Sequence, residues 1–186
     1  HASILRMTPG LAVWRPADLM ETEFAWRQAL KNQNKPTALL LSRQGLPALA
    51  RDEQTIANIE RGAYIIFEPE QKPEAVIIAA GSEVSLAIEA AQTMQKQHRY
   101  VRVVSMPSHD QFQQQDQAYQ QTVLPDSIEK RIAVEAGVPD FWYQYVGRHG
   151  KIIGMQRYGE SAPAKDTFAY FDFTVDNIVK NVDSLF

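Results

Sequence analysis

Four apolar runs, each followed by a turn and then helix-forming sequence, constrain this chain more than any other feature. Residues 75–80 (AVIIAA) are apolar throughout and stop at Gly81 and Ser82. Beyond them Val84, Ala87, Ile88, Ala91 and Met94 recur at the spacing of one helix face. Residues 101–104 are closed by Pro107, and SHDQ at 108–111 has the pattern of a capping box opening a polar helix. Residues 131–134 and 151–153 repeat the apolar run, each ahead of a glycine-containing turn. Strands that alternate with helices are joined by crossovers rather than hairpins. They predict an α/β fold, a three-layer sandwich whose mostly parallel sheet is covered on both faces.

A partial α/β segment precedes this rhythm. Pro16 fits a first helical turn, Leu19, Met20, Phe24, Trp26 and Leu30 follow at helical spacing, and residues 32–36 end the segment. An apolar strand through Leu39, Leu40 and Leu41 then runs straight into Ser42, Arg43 and Gln44. Residues 45–61 are polar and mixed, with Pro47 and Gly62 as breakers, and read as a linker. At the far end, residues 163–171 and 174–185 read as helices, the second capped by Thr174. HASILR at the start has no initiator methionine, so the chain reads as a fragment of something longer.

Hydrophobic residues make up 45% and charged residues 22% of the 186, the usage of a packed globular protein. No apolar run approaches the ~20 residues that cross a bilayer, and no membrane partner is expected. The absence of cysteine excludes disulfides, thiolate metal sites and cysteine nucleophiles, which makes a cytoplasmic location the expectation. With 22 acidic against 19 basic residues the net charge is −3, the wrong sign for broad attraction to a phosphate backbone, so no nucleic acid is expected either.

Arg43 is the leading site candidate. A guanidinium at the carboxyl end of a strand can grip a phosphate or carboxylate through two parallel hydrogen bonds; the plainer alternative is a surface ion pair. Gly81 and Ser82 form a weaker anion site at a helix start, where Glu83 itself is placed to occupy the positive helix end. A cap explains this turn equally well, because no further glycine completes a dinucleotide fingerprint. His1, His98, His109 and His149 have no metal-ligand spacing and are expected in solvated or capping roles. Glu135 and Glu160 each follow a strand without a base, nucleophile or metal ligand nearby, and are expected to hydrogen-bond local backbone. Phe141, Trp142, Tyr143, Tyr145, Tyr158, Phe168, Tyr170, Phe171 and Phe173 are expected mostly in the core.

Seven motifs in order carry a resemblance. TPGLAVWRPAD (8–18), PTALLLSRQGL (36–46), AAGSEVSLA (79–87), VVSMPSHDQF (103–112), VEAG (134–137), GESAPA (159–164) and FTVDNI (173–178) closely resemble the carboxyl-terminal part of the transketolase family. The resemblance covers the whole chain. It implies that residues 1–61 are the tail of the pyrimidine-binding domain with its linker, and 62–186 the C-terminal domain.

A transketolase moves a two-carbon ketol unit from a ketose phosphate to an aldose phosphate, using thiamine diphosphate and Mg2+ or Ca2+, and works as a homodimer. The arginine of the family's SRQ motif contacts the substrate phosphate, which the resemblance carries to Arg43. Its Gly-Asp-Gly metal motif, its cofactor-activating acid and its upstream histidine are not among these residues. The fragment alone is therefore expected to be inactive and to bind no cofactor. Two other identities remain open to the sequence. One is a stand-alone dimerisation or anion-binding module, the other a dihydroxyacetone synthase with the same architecture.

Overall fold

The computed structural model describes residues 1–186. The segment before the sandwich contains α1 (Ala2–Arg6), β1 (Ala12–Trp14), α2 (Leu19–Lys31) and β2 (Thr37–Leu39), with β1 and β2 paired in parallel from Ala12↔Thr37 to Trp14↔Leu39. After α3 (Glu53–Asn58) and a 3-10 turn at Ile59–Arg61 come β3 (Tyr64–Phe67), β4 (Ala75–Ala79), α4 (Glu83–Lys96), β5 (Val101–Ser105), α5 (His109–Gln113), α6 (Gln117–Val123) and β6 (Arg131–Val134). A 3-10 turn at Pro139–Trp142, α7 (Tyr143–Val146), β7 (Lys151–Ile153), α8 (Ala164–Tyr170) and α9 (Val175–Asp183) complete the chain.

The four apolar runs are β4, β5, β6 and β7, parallel members of a five-stranded sheet in the order β3-β5-β4-β6-β7. β3 adds an antiparallel edge that the sequence reading missed, with a register shift between Ile65 and Phe67. β4 lies at the centre and is buried along its whole length, which is why its sequence has no polar alternation. Ile77, Ala79, Val103 and Ile132 face one core, closed by α4 and α9 through Ala87, Ala91, Met94, Ile178 and Val182. Val76, Ile78, Val104 and Ala133 face the other, closed by Phe112, Val123, Phe141, Trp142, Tyr145 and Val146. The predicted three-layer α/β sandwich is present. α9 is capped by Thr174, whose side chain accepts from Asn177 N.

Several local expectations are corrected. α2 starts at Leu19, after Pro16, because Asp18 caps it by accepting from Glu21 N. Its apolar stripe is not the buried one: Glu21 and Ala25 face inward, while Leu19, Trp26 and Leu30 are exposed. β2 ends at Leu39 and is only half buried, so the chain has left the sheet three residues before Ser42. Residues 45–61 contain a helix and a 3-10 turn whose Ile59 is fully buried. Of the aromatic residues, Phe141, Trp142, Tyr145 and Phe173 are buried, whereas Tyr143, Tyr158 and Tyr170 are exposed. Ser108 precedes α5, but its hydroxyl has no partner and its N–H donates to Gly62 O. The capping box therefore does not form; Asp110 instead accepts from Val13 N at 3.1 Å, tying α5 to β1.

Candidate functional site

The chain passes from β4 to β5 on one side of the sheet and then to β6 on the other, so the carboxyl ends of β4 and β6 flank the crevice where open α/β sheets take ligands. Side chains fill that crevice here. Arg15, immediately beyond β1, lies over the turn after β4 and hydrogen-bonds Ala80 O. Its Nη1 is 2.6 Å from Glu83 Oε2 and 3.5 Å from Glu135 Oε1. Gly81 permits this approach: its φ is +65°, and a Cβ there would stand 2.6 Å from Arg15 Cζ. Ser82 Oγ donates to Glu83 Oε1 at 2.5 Å, and Glu83 also accepts from Ala136 N at 3.0 Å. What faces the start of α4 at Gly81 and Ser82 is thus an internal carboxylate paired with arginine.

Glu135 receives a second arginine. Arg6, from α1, forms a fork with both contacts at 2.7 Å, and Trp142 Nε1 donates to Oε2 at 2.9 Å. Burial pushes the Glu135 carboxyl up, but the Arg6 hydrogen bonds and charge, with Arg15 and the Trp142 N–H, outweigh it and hold the group below its ordinary value. Neither Glu135 nor the exposed Glu160, which makes no hydrogen bond, binds local backbone as expected.

A second buried cluster spans the same join. Arg51 bonds Asp18 Oδ2 at 2.6 Å, Tyr64 OH at 2.9 Å and Glu21 Oε1 at 3.4 Å. Glu21 also accepts from Tyr64 OH at 2.6 Å, Ser105 Oγ at 2.6 Å and Ala17 N at 2.7 Å. Full burial nevertheless raises its pKa.

Arg43 is exposed on the loop leaving β2, and its guanidinium has no hydrogen bond, ion pair or aromatic partner. Among the arginines only Arg148 shares that condition. Ser42 and Gln44, on either side of it, line an open cavity of about 300 Å³ with Asp18 and Thr22. Arg43 and the turn at Gly81 and Ser82 are not brought together into one site.

His109 Nδ1 is 2.5 Å from Tyr145 OH, and the ring meets Phe141 edge-on with centroids 4.9 Å apart; burial lowers its pKa. His98 closes α4 at φ +60°. No group of three or more His, Cys, Asp and Glu side chains is placed to hold a metal ion. Sequence reasoning missed Arg6, Arg15, Asp18, Glu21 and Arg51; the available signal was charge set directly beside wholly apolar sequence, as in AVWRPAD.

Residues 62–174 match the family model described as the transketolase-like C-terminal domain, and residues 1–48 match the transketolase pyrimidine-binding domain. Transketolase 2 of Aliivibrio fischeri is 51% identical over 181 residues, which is 97% of this chain and 27% of that protein. The solved transketolase of Pichia stipitis in complex with sedoheptulose 7-phosphate superposes with a TM-score of 0.89 at 33% identity, covering 98% of this chain and 26% of that one. Transketolase from Leishmania mexicana gives 0.87 at 37% identity, with the same coverage of 98% and 26%. The chain thus spans about a quarter of the length of the relatives it matches, 27% and 26% in these comparisons. From two matched family models and relatives similar along nearly its whole length, this chain belongs to the transketolase family.

Proposed function

We propose that this chain is the carboxyl-terminal portion of a cytoplasmic, homodimeric transketolase, and that its own contribution to ketol transfer is to hold the phosphate of the sugar substrate through Arg43. The supporting observation is the unpartnered guanidinium between two polar residues, Ser42 and Gln44, that line an open cavity. No carboxylate lies within ion-pair distance of it, so its fork is available to phosphate oxygens. Gripping the phosphate uses binding energy remote from the reacting carbons to orient them. The exposed stripe of Leu19, Trp26 and Leu30 supports the further expectation that α2 meets additional protein surface in the assembled enzyme.

Thiamine diphosphate and a divalent metal belong to the family's chemistry, but the residues here do not fit them. There is no cluster of metal-ligating side chains and no Gly-Asp-Gly sequence. No residue of this chain is therefore assigned to the cofactor, and the 186 residues alone are proposed to be inactive.

The test is Arg43→Ala in the full-length enzyme. A charge-assisted hydrogen-bonded contact is worth about 1.5–3 kcal/mol, so KM for phosphorylated sugars should rise about 10- to 100-fold. Unphosphorylated sugars should change less than about twofold. Equal losses on both substrate classes would refute the phosphate grip.

A further inference from the structure

The loop that carries Arg43 is hydrogen-bonded only at its ends, and both ends lead to one short segment. Leu40 N donates to Trp14 O at 2.8 Å, and Leu49 N donates to Asp18 Oδ2 at 3.1 Å. Residues 41–48 between them make no hydrogen bond. Both hydrogen bonds that fix where the Arg43 loop starts and ends therefore go to residues 14–18.

That segment is in turn held from the sandwich. Arg15 N donates to Pro107 O at 2.8 Å, and the Arg15 guanidinium enters the crevice between β4 and β6 to meet Glu83 and Glu135. Asp18 is held by Arg51, which also bonds Tyr64 on β3. We propose that Glu83 and Glu135 are positioning residues for substrate phosphate. By holding Arg15, they set the exit of β1, and through the Trp14–Leu40 bond they set the loop that carries Arg43. The crevice in which a sheet of this topology would bind a small molecule is used as a socket for an arginine of the preceding segment. The C-terminal domain thereby acts on the substrate without touching it.

The proposal rests on the phosphate-gripping role of Arg43, and the experiment separates the two. In the full-length enzyme, Glu83→Gln removes the charge facing Arg15 while keeping the side chain's shape. KM for a phosphorylated ketose donor should rise about fivefold with kcat unchanged, since a loosened support misplaces a binding group without removing it. KM for an unphosphorylated donor should stay within about twofold, and in an Arg43→Ala background the Glu83→Gln effect should vanish because the two act in series. Backbone hydrogen exchange at Leu40 and Leu49 should also quicken.

Equal losses on both donors, or an undiminished effect in the Arg43→Ala background, would overturn the positioning role while leaving Arg43 intact as the phosphate contact. An Arg43→Ala variant without phosphate selectivity would overturn both. Should Glu83→Gln fail to fold, Arg15→Lys, which keeps the charge and loses the fork, is read by the same criteria.

Discussion

Replacing Glu135 by glutamine keeps the shape of the side chain and removes the charge that Arg6 faces. The Arg6 and Glu135 side chains are 2% and 1% exposed, so water does not weaken the pair as it would at a surface. Both N–O contacts are 2.7 Å, a fork on a carboxylate. Stranding a buried charge costs about 3–5 kcal/mol. The amide oxygen can still accept from Arg6 or from Trp142 Nε1, which puts the expectation at the lower end, about 3 kcal/mol. For 186 residues that corresponds to a fall in Tm of about 6–12 °C. Thermal and urea unfolding followed by tryptophan fluorescence would report it directly, because Trp142 donates to Glu135. Arg6→Met alone should cost a similar amount. The double variant should recover about 2 kcal/mol of the summed loss, because no unpaired charge is left between the two positions. A single-variant cost below about 1 kcal/mol, or additivity within about 0.5 kcal/mol, would refute the reasoning.

Gly62→Ala should cost about 3 kcal/mol or more, since φ is +88° and the new Cβ would stand 2.4 Å from Ser108 O and 2.5 Å from Phe112 N, both backbone atoms. A urea midpoint shift worth under about 1 kcal/mol would mean that α5 moves away freely. Acid should destabilise the chain in two stages. Burial depresses the pKa of His109 in the folded state, so from its ordinary value of 6.5 downward the unfolded chain takes up a proton that the folded one refuses. The depressed Glu135 adds a second loss as pH falls through 4.5. Glu21, raised by burial, runs the other way: its protonated form suits the folded state, and stability falls as pH climbs from 4.5 through its folded pKa. His109→Asn isolates the first stage, and the gap between wild type and variant in urea midpoint should change between pH 7.5 and 5.5; parallel pH profiles would remove His109 from the account.

The sandwich was legible because its parallel strands are short, largely buried and separated by helices, so each appears as a mostly apolar run bounded by a glycine or proline turn. β3 was not, although residues 63–67 (AYIIF) form an apolar run between Gly62 and Pro69, because no helix-forming stretch follows it: only residues 68–74 separate it from β4, and it pairs antiparallel at the sheet edge. The helical spacing of α2 was read correctly, but its orientation was not. Period identifies a helix face and says nothing of which face the fold buries. Here the inward positions are Ala25 and Glu21, a carboxylate that no hydrophobic pattern would select.

Arg43 could be singled out as a candidate because the role proposed for it depends on residue type and on the strand before it, both local properties. The clusters proposed to hold it in place depend on pairings far apart in sequence, as between Arg6 and Glu135 at a separation of 129 residues. In a single sequence such pairs look like isolated charges beside apolar runs, and their most economical reading is solvent or a local cap. Their burial changes that economy. Arg6, Arg15, Glu83 and Glu135 would each be costly alone inside the protein, and they are tolerable only when the segment before the sandwich and the sandwich itself are docked in one register. A hydrophobic join of equal area would hold the two parts with less directional demand. The paired guanidiniums specify where β1 ends, and the exit of β2 follows from it, which is the geometry that the phosphate grip proposed for Arg43, on a loop without hydrogen bonds of its own, requires.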